Sequence, residues 1–246
     1  MIELRQLQKH AEKQQTTLNN VVREYFQHLF LAYLYQENAS EGLLFKGGTA
    51  LRIVWQSPRF SEDLDFNGIK LTMAKIETLM ETTLAKIEQE GVVTDIEESK
   101  KTSGGYLAIF GFKTQDHHSR IQVEISLREA RGEKSAVSLI QSDLIVPYTL
   151  VHLQEDLLVG EKIQACITRA KPRDFYDIYF MLRSRMAFKK AFEQDKKLKA
   201  KILEAIERTK LNFKMELKEF LPVGQHMVIK NFPEVLIREI ERNIAT

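Results

Sequence analysis

Cysteine is almost absent: Cys166 is the single one in 246 residues. That excludes an internal disulfide framework and any cysteine-based zinc site. No apolar stretch approaches the roughly 18 residues of a membrane-spanning helix, and the N-terminus lacks a leader pattern. A soluble cytoplasmic chain with no membrane partner is therefore expected. An excess of one charge is missing as well. The 36 Lys and Arg balance 34 Asp and Glu to a formal +2, so no global field announces nucleic-acid binding. Neither repeats nor low-complexity linkers occur. The remainder is ordinary globular material, 43% hydrophobic and 28% charged, able to bury roughly 70–75% of its unfolded surface as one large domain or two small ones.

The most informative stretch is Leu43-Leu44-Phe45-Lys46-Gly47-Gly48-Thr49-Ala50-Leu51, followed by Arg59-Phe60-Ser61-Glu62-Asp63-Leu64-Asp65-Phe66. A short apolar run reads as a strand end, two glycines break it, and Thr49 is placed to cap a helix beginning at Ala50. Amides at such a turn can take an anion. Asp63 and Asp65 alternate with Leu64 and Phe66, so on a strand both carboxylates share one face. A phosphate cradle facing two parallel carboxylates suits a metal-bound nucleoside triphosphate.

Phe-Lys-Gly-Gly-Thr-Ala-Leu followed by Arg-Phe-Ser-Glu-Asp-Leu-Asp-Phe resembles the AbiEii family of nucleotidyltransferase toxins, within the DNA polymerase β-like superfamily. The resemblance implies that Lys46, Gly47, Gly48 and Thr49 cradle phosphates while Asp63 and Asp65 hold Mg²⁺ or Mn²⁺. It returns on the strand expected at 120–127, where Ile121, Val123 and Ile125 face one way and Gln122, Glu124 and Ser126 the other. Glu124 stands where the superfamily puts a third metal-binding carboxylate. Many relatives have Asp there, with Lys two residues earlier; this chain has Glu124 and Gln122.

The flanking segments read as support. Leu18, Val21, Val22, Tyr25, Phe26, Leu29, Phe30 and Tyr33 form one apolar stripe, so 4–36 is expected to be helical. A helix is expected over 72–89, ended by Gly91, then strands at 92–96, 106–112 and 120–127. His117 and His118 have no fixed geometry in a turn and read as surface residues. From Leu150 the pattern turns helical, first over 151–170. Lys171-Pro172 ends that helix.

There Glu161-Lys162-Ile163 and Arg169-x-x-x-Arg173-Asp174-Phe175-Tyr176-Asp177 are similar to the second signature of the AbiEii family. That similarity implies catalytic parts for Lys162 and Asp174, with Arg173 and Asp177 in support. Read locally, Asp174 and Asp177 would simply offset the dipole of a first helical turn. Lys189, Lys190, Lys196, Lys197, Lys199 and Lys201 form the densest basic run, a solvated helix face or an RNA contact.

The expected fold is α/β: a nucleotidyltransferase-type mixed sheet with flanking helices over 1–150, then a helical C-terminal domain over 151–246 that completes the active site. The implied function is transfer of a nucleoside monophosphate from an NTP to an acceptor hydroxyl. The resemblance makes tRNA the acceptor and the chain the toxin of a bacterial toxin–antitoxin or phage-defence pair with a cognate antitoxin. A small-molecule, antibiotic-type nucleotidyltransferase and a non-catalytic nucleotide-binding module stand as the alternatives.

Overall fold

The computed structural model describes residues 2–127, 134–195, 197–209 and 212–243. The N-terminal stripe forms two helices, α1 (Leu4–Gln14) and α2 (Leu18–Leu34), where its periodicity suggests one. Gln15 closes α1 in the left-handed region, and the Thr17 side chain accepts from the Asn20 amide at 3.3 Å to start α2. Apolar spacing does not register such a cap, because both helices face the same core.

After a 3₁₀ turn at Asn38–Gly42 come β1 (Leu43–Lys46), α3 (Gly47–Ile53), β2 (Leu64–Gly68) and α4 (Met73–Gln89). Thr72 caps α4, and Gly91 follows it at φ 81°. Then β3 (Val93–Thr102), β4 (Gly105–Lys113) and β5 (His118–Ser126) form a meander, followed by β6 (Ser135–Ile140) and β7 (Tyr148–Leu153). Three expectations change here. β3 runs six residues beyond Ile96, because a polar sheet edge needs no apolar pattern. β6 has no counterpart among the expected strands. Val151 to Leu153, expected in a helix, close β7 instead.

The strands form a seven-stranded sheet in the order β3-β4-β5-β2-β1-β7-β6. β1 is antiparallel to β2 and parallel to β7, while β2 runs parallel to β5. One face carries the core: Phe45, Leu64, Phe66, Ile121, Val123 and Ile125 are buried with α2 and α4. Phe26 and Phe30 of α2 stack on Phe112 and Phe110 of β4 at 5.3 and 5.7 Å between centroids. The opposite face carries Lys46, Asp65 and Glu124 alongside the apolar Leu44 and Leu107.

The remaining elements are helical: α5 (Glu155–Thr168), α6 (Pro172–Arg183), α7 (Phe188–Gln194), α8 (Leu198–Arg208), α9 (Phe213–Leu217) and α10 (Phe232–Asn243). Pro172 opens α6 at its first position, where the missing amide costs nothing. Phe213 and Phe232 lie 5.4 Å apart, with Phe175 and Tyr176 of α6 against them. The chain divides into two compact units, Met1–Gln56 with Phe60–Leu153, and Ser57–Arg59 with Gln154–Thr246. No helix among the described residues is long and apolar enough to cross a membrane.

Candidate active site

In the first unit the register draws three candidate residues into one row. Lys46 of β1 pairs with Asp65 of β2, and Asp65 pairs with Glu124 of β5. Paired residues point to the same side of a sheet, here the side opposite Phe45, Phe66 and Ile125. Asp63 stands two residues before Asp65, immediately ahead of β2. A cleft of ≈ 340 Å³ opens at this row, bordered by Lys46, Asp65, Glu124, Ser126, Ser103 and Gly104. A larger cavity of ≈ 760 Å³ lies at the tip of the β4–β5 hairpin and borders none of the signature carboxylates. His117 borders that larger cavity half-buried, with a buried and unpartnered Nε2, so it is not the surface residue expected.

The Gly-rich turn is built around Asp65. Gly47 has φ +83°, and a Cβ there would lie 2.0 Å from Asp65 Oδ2. Only glycine permits that conformation and that approach. Thr49 does not cap the helix. Helix α3 begins at Gly47, leaving Thr49 fully buried in the first turn, where its hydroxyl donates to the Asp63 carbonyl at 2.5 Å.

Gln27 of α2 adds a second anchor: its Nε2 donates to the carbonyls of Ser61 at 3.0 Å and Glu62 at 2.9 Å. The apolar stripe marks that helix only as support without chemistry. Gln27 lies on the opposite face of α2, buried with Asn20 and Glu24, and apolar spacing gives no signal for it. The Gln122–Glu124 pair is bonded to itself, Gln122 Nε2 donating to Glu124 Oε1 at 2.6 Å. Among the described residues, no three His, Cys, Asp or Glu side chains gather as a metal site.

The helical unit holds a different cluster. Asp177 is buried and accepts from three donors: Arg59 Nε at 2.9 Å, Arg59 Nη2 at 3.1 Å and Lys162 Nζ at 2.7 Å. Burial pushes its carboxyl up, but the charges and hydrogen bonds of Arg59 and Lys162 outweigh that and hold it below the usual range. Lys162 is itself buried, on the inward face of α5. Arg173, at the second position of α6, is half-buried, and the ion pairs of Asp177 are with Arg59 and Lys162.

Asp174 is fully buried and separately engaged, accepting from Arg169 Nε at 3.0 Å, from Arg169 Nη2 and from the Lys171 amide at 3.0 Å. Burial, then the charges of Asp174 and Asp177, push the Cys166 thiol far up, so it stays neutral. The basic run is partly neutralised: Lys190 pairs with Asp156, and Lys201 pairs with Asp195 at 2.6 Å. Lys196, and the side chain of Lys189, lie outside the described residues.

A mixed sheet with a glycine turn packed on an aspartate, and with acidic side chains on adjacent parallel strands, accords with the nucleotidyltransferase class, which the sequence profile establishes. The sequence profile of the AbiEii family, described as a nucleotidyl transferase AbiEii toxin of a type IV toxin–antitoxin system, matches residues 29–240. The chain belongs to this family, and is a nucleotidyltransferase toxin by that membership. The family brings with it an NTP substrate and an antitoxin partner.

Among solved structures it is similar to MenT4, a nucleotidyltransferase toxin from Mycobacterium tuberculosis H37Rv. That likeness has TM-score 0.65 and 17% identity, covering 100% of this chain and 91% of that one. It is also similar to JHP933 from Helicobacter pylori, with TM-score 0.57 and 18% identity over 92% of each chain. At these identities the likeness establishes the fold. No curated protein matches the chain.

Proposed function

We propose that the chain moves a nucleoside monophosphate from an NTP to a hydroxyl of an RNA acceptor, tRNA first among candidates, in the cytoplasm, releasing pyrophosphate. The observation that carries the reading is the Lys46–Asp65–Glu124 row beside the Gly47 turn. It sets carboxylates for a cation next to amides and an ammonium for phosphate oxygens. Magnesium is commonly held by one or two carboxylates and completed by substrate phosphates and water. The hard oxygen donors of Asp63 and Asp65 fit Mg²⁺ or Mn²⁺ on that basis, with Glu124 as a third. Such an ion, when bound, neutralises triphosphate charge and makes the attacking hydroxyl more acidic.

The chain's own residues have separable parts. Amides of the first turn of α3 lack intrahelical partners and would donate to phosphate oxygens from Gly47, Gly48 and Thr49. The Thr49 hydroxyl holds the Asp63 carbonyl, and Gln27 holds the two carbonyls before it. Lys162 enters through the family resemblance as the residue that holds the triphosphate. Asp174 enters the same way, and its bonds to Arg169 and the Lys171 amide favour fixing the start of α6 over taking a proton. Arg173 and Asp177 support those two.

The test is direct. Purified protein is incubated with each labelled triphosphate and total tRNA. Label is expected on tRNA, to fall between low and moderate salt as phosphate contacts weaken, and to vanish with Asp65→Asn. Nucleotide binding without any tRNA product from the four triphosphates would refute the RNA acceptor. Label on an aminoglycoside instead would point to small-molecule transfer. Induced expression should arrest growth of a bacterial host, and Asp65→Asn should relieve the arrest.

A further inference from the structure

Arg59 lies in the segment between α3 and β2, four residues before Asp63, yet it packs with the helical unit. Its guanidinium engages both oxygens of Asp177 as a fork, and Arg59 is only 4% exposed and Asp177 1%. Lys162 bonds Oδ2 of the same carboxylate. A buried ion cluster is weak evidence for stability, since apolar side chains of similar volume serve a core as well. Such a cluster at a family signature therefore points to a second role. A lysine side chain is a flexible stem ending in a point charge, whereas the arginine fork is planar and binds a carboxylate in one orientation. Within these three side chains one carboxylate is shared by two cations.

We propose that Arg59 is a positioning residue of the transfer reaction: clamped on Asp177, it fixes the carboxylate against which the Lys162 ammonium is aimed. The inference rests on the reading of Lys162 as the residue that holds the triphosphate. With Arg59 in place, Asp177 is oriented by the fork and its charge is divided, so Lys162 keeps both its direction and its attraction for an anion. Without Arg59, the full charge of Asp177 falls on Lys162 and its orientation is free.

The experiment compares Arg59→Ala, Arg59→Lys, Lys162→Ala and the Arg59→Ala/Lys162→Ala pair, reading nucleotide KM, acceptor KM, kcat and Tm. Arg59→Ala should raise nucleotide KM roughly tenfold or more, the scale of a lost charge-assisted interaction, with acceptor KM unchanged. Arg59→Lys restores the charge without the fork and should recover only part of the loss. On the Lys162→Ala background, Arg59→Ala should add nothing to nucleotide KM.

Should Arg59→Ala fail to fold, Arg59→Lys carries the test alone: it keeps a cation beside Asp177 and loses only the fork, so nucleotide KM should still rise while Tm holds. Additive effects of Arg59→Ala and Lys162→Ala, or a fall in Tm with nucleotide KM unchanged, would overturn the positioning role and leave the function standing. A Lys162→Ala protein with wild-type nucleotide KM would overturn both the positioning role and the part given to Lys162.

Discussion

At the scale of single residues, the site depends on how closely Asp65 sits against Gly47. Asp63→Asn and Asp65→Asn should each abolish transfer while the protein melts at or slightly above the wild-type temperature, because like charges are relieved. A rate assay with a thermal melt checks both, and near-full activity in Asp65→Asn would refute the two-carboxylate mechanism. Gly47→Ala is expected to be worse for the fold. A left-handed L residue costs about 1–2 kcal/mol, and the new Cβ would collide with Asp65 Oδ2, 2.0 Å away. Its Tm should fall and transfer should be lost together. Gly160 of α5 is the control, since a Cβ there meets nothing within 4 Å. Gly160→Ala should stabilise by about 0.5–1 kcal/mol through helix propensity, with activity intact.

At the scale of elements, the site's backbone is held by parts distant in sequence. Helix α2 carries the core stripe and also presents Gln27 to the carbonyls before Asp63. Its start depends on Thr17, whose side chain caps the Asn20 amide. Thr17→Ala should cost about 1 kcal/mol, the usual value of a lost cap, read as a shift in the denaturation midpoint at constant slope. Gln27→Leu separates the two duties of the helix. It keeps the apolar packing and removes both hydrogen bonds, so transfer should fall more than stability does. Wild-type turnover in Gln27→Leu would mean that the loop before Asp63 holds itself.

The whole molecule should lose stability on acidification, and the sign can be worked out. His28 is buried between α2 and β7, its Nδ1 2.9 Å from the Tyr148 hydroxyl. Its pKa is lowered from 6.5 to about 4, first by burial, with Arg52 and His10 adding to the shift against Glu24. Its pKa is lower folded than unfolded, so between those values unfolding takes up a proton and stability falls with pH. The loss from this group approaches roughly 3 kcal/mol once pH is below both values. Asp177 acts in the same direction: its folded pKa is depressed, so its contribution disappears as pH falls through that value. Melting temperatures of wild type and His28→Gln across pH 7 to 4 should converge toward the acid end. Parallel curves would show that His28 is not the group responsible.

Much of this molecule is legible in its amino-acid order alone. Periodicity two places Leu64 and Phe66 opposite Asp63 and Asp65, and spacings of three and four mark the buried face of α2. Proline and glycine mark the start of α6 and the end of α4. These are local properties, dictated by backbone geometry and by which side chains avoid water. Neither β6 nor the membership of Val151 to Leu153 in β7 is visible that way, because Ser135–Ile140 becomes a strand only through pairing with β7. Nor does spacing reveal the partners of the charged residues. Asp177, which read locally would only offset the dipole of a first helical turn, instead joins Arg59 from 118 positions earlier. A buried carboxylate takes whichever cations the fold brings within reach. Local sequence therefore determined most of the elements and their faces, while tertiary packing decided the β6–β7 edge of the sheet and which charges meet.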